Sequence, residues 1–206
     1  MYKKPVIVFE GIEGSGKTFH INNVSKYLKK KKIKYIKVRE PGGNKNSELI
    51  RKLILRNKSD FNRNTDLLLY FAARSENIEV LKKNHKKKVI LIDRFTDSTL
   101  AYQHHGFGVN KALIEFINKH LLKGFKVDFT FLNTVSNKNM IKRLKIRKKL
   151  NRYDKFKSNF YKKVQLGFLN IAKKDKKKYQ IVNSNLDINL NKTIILQKID
   201  KLLKWP

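Results

Sequence analysis

The constraint that governs this chain is the run Val6-Ile-Val-Phe-Glu-Gly-Ile-Glu-Gly-Ser-Gly-Lys-Thr18, an apolar stretch that breaks into a glycine-rich turn. It matches the phosphate-binding pattern G-x-x-x-x-G-K-[ST] at every specified position. Gly11, Gly14 and Gly16 lack a Cβ, so the backbone can turn tightly and bring N–H groups against phosphate oxygens. The residues expected to cradle a nucleotide's phosphates are therefore Gly11, Ile12, Glu13, Gly14, Ser15, Gly16, Lys17 and Thr18. A helix beginning near Gly16 adds the positive end of its dipole, and Lys17 reaches the β and γ phosphates. The Thr18 hydroxyl is a candidate ligand for magnesium.

Beyond the loop the chain alternates strands and helices. Apolar strands are expected over 33–39, 89–92, 127–132 and 179–182 in addition to the first. Helical patterns fall over 46–56, 65–84, 98–104, 110–122, from 137, over 155–173, and in the terminal run with Leu190, Ile194, Ile195, Ile199, Leu202 and Leu203. Short apolar strands separated by helices imply an α/β fold, a five-stranded parallel sheet covered by helices on both faces. With no repeats and no Ser- or Pro-rich linker, 1–206 reads as one domain.

In such a sheet, ligands bind beyond the carboxyl ends of the strands. Glu13, Arg39 with Glu40, and Asp93 with Arg94 all fall there. Asp93, following a buried apolar strand, has the Walker B placement and is a second candidate for magnesium. Arg94 can take a phosphate bidentately. On the third helix Phe71, Arg74 and Ile78 share one face, so that a ring and a guanidinium could meet a base together, although a Phe beside Leu67, Leu68 and Leu69 also suits a core.

Composition excludes several classes. There is no cysteine, hence no disulfide framework and no zinc-thiolate site. No apolar run approaches the roughly 18 to 20 residues needed to span a bilayer, and the short one before the loop does not read as a secretory signal. A cytoplasmic protein is expected. The net charge of +33 would attract polyanions, and nonspecific nucleic-acid binding at low salt is one consequence. Many of the lysines, however, sit near expected helix ends, where cations suit the dipole.

Five ordered motifs carry a family resemblance: Glu10-Gly-Ile-Glu-Gly-Ser-Gly-Lys-Thr18, Arg39-Glu-Pro-Gly-Gly43, Tyr70-Phe-Ala-Ala-Arg74, Asp93-Arg-Phe95 and Ser98-Thr-Leu-Ala-Tyr-Gln103. In order and spacing they resemble bacterial thymidylate kinases, P-loop enzymes that transfer the γ-phosphoryl of ATP to dTMP with magnesium and are commonly homodimeric. The resemblance implies that Phe71 stacks on thymine and Arg74 donates to a thymine carbonyl. It implies further that Arg94, assisted by Arg39, holds the acceptor phosphate, that Glu13 accepts from the 3′-hydroxyl, and that Thr99 faces the base. Tyr102 and Gln103 would form the wall that excludes a 2′-hydroxyl. The loop 183–185 would lie near adenine.

Residues 143–154 resemble the family's basic lid, with Arg147 and Arg152 as the two candidates for the arginine that meets the transferred phosphoryl. One departure stands out: Asn151 occupies the place of the family's usual Asp before Arg152. A phosphate monoester has a second pKa of about 6, so dTMP is already a nucleophilic dianion at neutral pH and no general base is required. A deoxynucleoside kinase on the same scaffold, or a nucleic-acid-binding P-loop protein, are the alternatives.

Overall fold

Five parallel strands form one sheet in the order β2-β3-β1-β4-β5 in the computed structural model, which describes residues 4–204. The strands are β1 Val6–Glu10, β2 Tyr35–Arg39, β3 Val89–Asp93, β4 Phe129–Thr134 and β5 Tyr179–Asn183. Around them lie α1 Lys17–Lys30, α2 Lys45–Leu55, α3 Arg63–Asn84, α4 Thr96–Thr99, α5 Lys111–Leu122, α6 Asn137–Lys145, α7 Ser158–Lys174 and α8 Ile188–Leu203. This is the α/β fold expected from the sequence.

The central strands are apolar throughout because both their faces are covered. Ile7, Phe9, Leu91 and Phe131 pack against Ile21, Val24 and Leu28 of α1 and Ile195 and Ile199 of α8. On the opposite face Val6, Val8, Ile90 and Ile92 meet Ile78 and Leu81 of α3. The register places the strand ends level: Phe9 pairs with Asp93, and Arg39 with the same Asp93. The charged residues at the end of each apolar run are thereby gathered along one edge.

Helix starts are set by local capping. Asn44 accepts from Ser47 N and Asn62 from Thr65 N, so α2 and α3 begin slightly earlier than the apolar pattern indicates. Two segments differ from expectation more substantially. The helix expected over 98–104 is the short α4 followed by π-helical turns over Leu100–Gly106, closed by Phe107 N donating to Tyr102 O. This wide turn packs against α7, and a Cβ on Gly167 would lie 2.6 Å from His105, so only glycine permits the approach. The helix expected from 155 starts at Ser158, because Asn151 and Asp154 form a capping box that makes Arg152–Lys155 a separate 3-10 turn.

Candidate active site

One cavity of about 700 Å³ runs along the sheet edge from the glycine-rich loop to α3. Eight basic side chains (Lys17, Lys37, Arg39, Arg51, Arg74, Arg94, Arg143 and Arg147) line it against three carboxylates, Glu13, Glu40 and Asp93. An excess of cations in a concave site, four of them (Lys17, Arg51, Arg74 and Arg94) buried or half-buried, is a place for anions.

At one end α1 starts from Gly16 in the left-handed conformation, with no side-chain cap and no acidic residue in its first turn. Its dipole and first N–H groups are left to face the cavity. Gly11 and Ile12 lie behind the wall, where their carbonyls accept from Lys17 Nζ at 2.8 and 2.9 Å. Gly11 must be glycine: at φ 137 a Cβ would come within 2.2 Å of Asn133 O. Burial, and then Arg94, pull the Lys17 ammonium down to about 8 against the opposing pull of Asp93, Glu13 and Glu10. The loop is tied from behind by Ser184 Oγ donating to Ser15 O at 2.6 Å. Arg143 spans Gly14 O and Ser184 O at 2.8 and 2.6 Å, placing the 183–185 turn beside the loop.

In the middle stands Arg94, directly after β3 with φ 66, an uncommon backbone for a non-glycine residue. Its guanidinium donates to Gly11 O at 2.9 Å and to Glu13 Oε1 at 2.7 Å, while the Tyr102 hydroxyl donates to Glu13 Oε2. Burial opposes the Arg94 charge, but Tyr102, Glu13, Asp93 and Glu10 outweigh it and hold the group above its ordinary range. Glu10, buried under α4, accepts from Phe95 N, Ser98 N and Ser98 Oγ and so fixes the start of that helix. Burial, and then Asp97, push the Glu10 carboxyl up to about 7. Arg39 pairs with both oxygens of Glu48. Arg51 donates to Pro41 O at 2.6 Å, and burial together with neighbouring Arg39 lowers its pKa, the mark of cations crowded where an anion would relieve them.

At the far end Arg74 is only 2% exposed, and three neighbours hold it. Its Nε donates to Glu40 Oε2 at 2.8 Å, Nη1 to Asn118 Oδ1 at 2.7 Å and Nη2 to Thr99 Oγ1 at 2.9 Å. Thr99, Tyr102 and Gln103 line the same cavity. Phe71 does not. It is packed with Leu67, Val109 and Ile114, and the ring that α3 puts on the cavity wall is Tyr70, four residues before Arg74. Both rings sit within about a helical turn of Arg74, and the segment around α5 that covers Phe71 decides which one faces out.

In the lid, Arg147 lines the cavity and donates to Asp154 Oδ1 at 2.6 Å. Arg152 is not on the wall: it pairs with Asp66 on α3 and lies 5.0 Å from the Tyr153 ring. Asn151 takes up the backbone N–H of Tyr153 and donates to Asp154, whose side chain is fully buried. The carboxylate missing at Asn151 thus has a counterpart three residues on, and it serves Arg147.

Thr18 and Asp93 both line the cavity, and the charge of Asp93 is felt by Lys17. A hydroxyl and a carboxylate beside a phosphate cradle suit magnesium, which keeps waters and phosphate oxygens as its other ligands. Among the described residues no cluster of three or more His, Cys, Asp or Glu could hold a metal unaided, and no helix is long and apolar enough to cross a membrane.

Two residues of the site, Arg51 and Asn118, are not signalled by the sequence motifs. Arg51 sits on a helix whose apolar stripe draws attention elsewhere. Asn118 comes one turn after Ile114 on the covered side of α5, and a polar residue at a buried register position is its one visible signal.

Known proteins similar to this chain agree in sequence and in structure. A family model described as thymidylate kinase matches residues 9–195. The chain is 37% identical over 202 residues to a thymidylate kinase of Mycoplasma capricolum, covering 94% of this chain and 95% of that one. A thymidylate kinase of Acholeplasma laidlawii is 35% identical over 200 residues, covering 96% and 99%. A crystal structure of thymidylate kinase from Ehrlichia chaffeensis superposes with a TM-score of 0.76 at 29% identity, covering 95% of this chain and 98% of that one.

Proposed function

The chain belongs to the thymidylate kinase family and is a nucleoside monophosphate kinase, and we propose that its cavity holds ATP and dTMP end to end for in-line transfer of the γ-phosphoryl. The observation that carries this assignment is the continuity of the cavity from Lys17 to the buried Arg74, with Arg94 between them. The P-loop amides and Lys17 take the ATP phosphates, and Arg94, Arg39 and Arg51 take the acceptor phosphate. Two anions are so held in line with their repulsion offset.

The remaining roles are assigned from where the residues sit, which supports the reading. Tyr70, rather than Phe71, is the ring available to stack on thymine, and Arg74 meets a base carbonyl. Glu13, already holding Arg94 and Tyr102, has lone pairs left to accept from the 3′-hydroxyl. Tyr102 and Gln103 occupy the space a 2′-hydroxyl would need. Arg147, rather than Arg152, is the lid arginine placed to meet the transferred group, with Arg143 at the adenine side. Thr18 and Asp93 would hold magnesium, which screens charge on the phosphates when bound. The acceptor's own dianion is the nucleophile, so no side chain need take a proton.

We read 1–206 as one kinase domain with its lid at 143–154, working in the cytoplasm where both nucleotides are dissolved. A homodimer is the assembly we propose, supported by Leu49 and Leu53 on α2 and Leu68 on the neighbouring α3, which are 55%, 48% and 59% exposed. Light scattering that gives a monomer at micromolar concentration would remove it. The surface charge of +33 supports weak, nonspecific polyanion binding that vanishes at moderate salt.

A coupled ADP-release assay with ATP and magnesium tests the whole assignment against dTMP, dUMP, UMP, dCMP, dGMP and thymidine. Strong turnover on dTMP is expected. Turnover on thymidine in its place would make the chain a nucleoside kinase.

A further inference from the structure

We propose that Asn118 is a positioning residue for base recognition: its side-chain oxygen sets the orientation in which Arg74 presents N–H groups to the base. The inference rests on the assignment of Arg74 to a thymine carbonyl and goes on to say what holds it there.

A guanidinium has five N–H groups in a rigid plane. In Arg74 three are engaged, by Glu40, Asn118 and Thr99, each on a different nitrogen. One N–H on each Nη is left for a ligand. The plane itself is confined by two rings, with Arg74 Cζ 5.8 Å from Phe71 and 5.2 Å from Phe95. Phe71 therefore contributes from behind the wall.

The charges themselves define a competing arrangement. Glu40 engages Arg74 through Oε2 alone, and its buried Oε1 makes no bond to the guanidinium. Nearby Asn77 spends its amide on Gly42 O and Arg39 O. An arginine and a carboxylate in a water-poor site favour the bidentate fork, in which both oxygens are satisfied. Collapse into that fork would turn Arg74 away from its present orientation. Asn118 draws Nη1, a different nitrogen from the one Glu40 holds, to a neutral acceptor and resists that rotation. A carbonyl on the base then meets a donor, whereas the amino group that cytosine carries at the same place meets donor against donor.

The test uses the full-length protein with Asn118→Leu, which removes the acceptor at similar volume, and Asn118→Asp, which keeps it. Steady-state kinetics give kcat and KM for dTMP and ATP and the ratio of kcat/KM for dTMP over dCMP. Melting curves check folding. For Asn118→Leu we expect the dTMP KM to rise about tenfold or more and the dTMP/dCMP ratio to fall by a similar factor. Its kcat at saturating dTMP and its KM for ATP should stay within about twofold, and Asn118→Asp should restore the ratio. If Asn118→Leu fails to fold, Asn118→Ala carries the same comparison. A folded variant without the acceptor that keeps the wild-type ratio overturns the proposal. So does equal loss in the Leu and Asp variants, which would mark a packing role. Wild-type protein inactive on dTMP would instead overturn the assignment on which the proposal rests.

Discussion

Arg74 and Arg147 line the same cavity and are built in opposite ways. Arg74 is 2% exposed and held by side chains from β2's end, α4 and α5, whereas the Arg147 side chain is 48% exposed and held by one carboxylate seven residues along the chain. The half we assign to the base is organised by buried, long-range hydrogen bonds. The half we assign to ATP is organised by backbone amides, by the buried Lys17 and by arginines at the surface. Discriminating one base from another needs a donor fixed to a fraction of an ångström, and burial fixes it. Neutralising phosphates that must enter and leave asks only for charge near the right place, and an exposed side chain provides it.

The contrast can be broken by substitution, beginning at the boundary between the halves. Arg94→Ala should lower kcat by about a thousandfold, because Arg94 faces both anions; a loss below tenfold in single-turnover experiments would remove it from the reaction. Arg74→Leu leaves the Glu40 carboxylate buried without its partner and should cost about 3–5 kcal/mol in urea denaturation. If that variant is as stable as wild type, the buried half is not the rigid one. Arg147→Ala should reverse the pattern, with kcat down about 10- to 100-fold and a smaller stability loss than Arg74→Leu, because the buried Asp154 carboxylate keeps the two N–H groups of Asn151. A variant of Arg147 that lost as much stability as Arg74→Leu would erase the distinction.

The smallest effect is one of pH. The Lys17 ammonium, lowered to about 8, loses its proton within the accessible range, and phosphates bind the charged form. ATP affinity should be flat below about pH 7 and fall toward tenfold per pH unit above 8. A flat profile by calorimetry from pH 7 to 9 would place Lys17's charge outside the binding step.

Legibility in the sequence divides along the same line. The phosphate loop can be read in full, since its glycines and Lys17 lie within eight consecutive positions whose backbone makes the site. Asp93 and Arg94 are legible because they end an apolar run that could only be a buried strand. That Tyr70 rather than Phe71 lines the cavity is not legible, because both lie within about one helical turn of Arg74, and nothing on α3 itself tells which face Val109 and Ile114 will cover. Arg152 looks as suitable as Arg147 until α3 brings Asp66 to it. The carboxylate that Asn151 lacks is supplied by Asp154, visible only once the 3-10 turn closes.

By itself, then, the sequence determined the α/β order of elements, the anion cradle and the edge of the sheet where charged residues gather. Those features depend on contiguous residues and on the rule that apolar strands are buried and their ends are not. The tertiary structure alone decided that Tyr70 rather than Phe71 and Arg147 rather than Arg152 line the cavity, and that Glu40, Thr99 and Asn118 converge on Arg74 from 34, 25 and 44 positions away. Such convergence leaves no local periodicity, because it is set by how whole elements pack rather than by what any one of them contains.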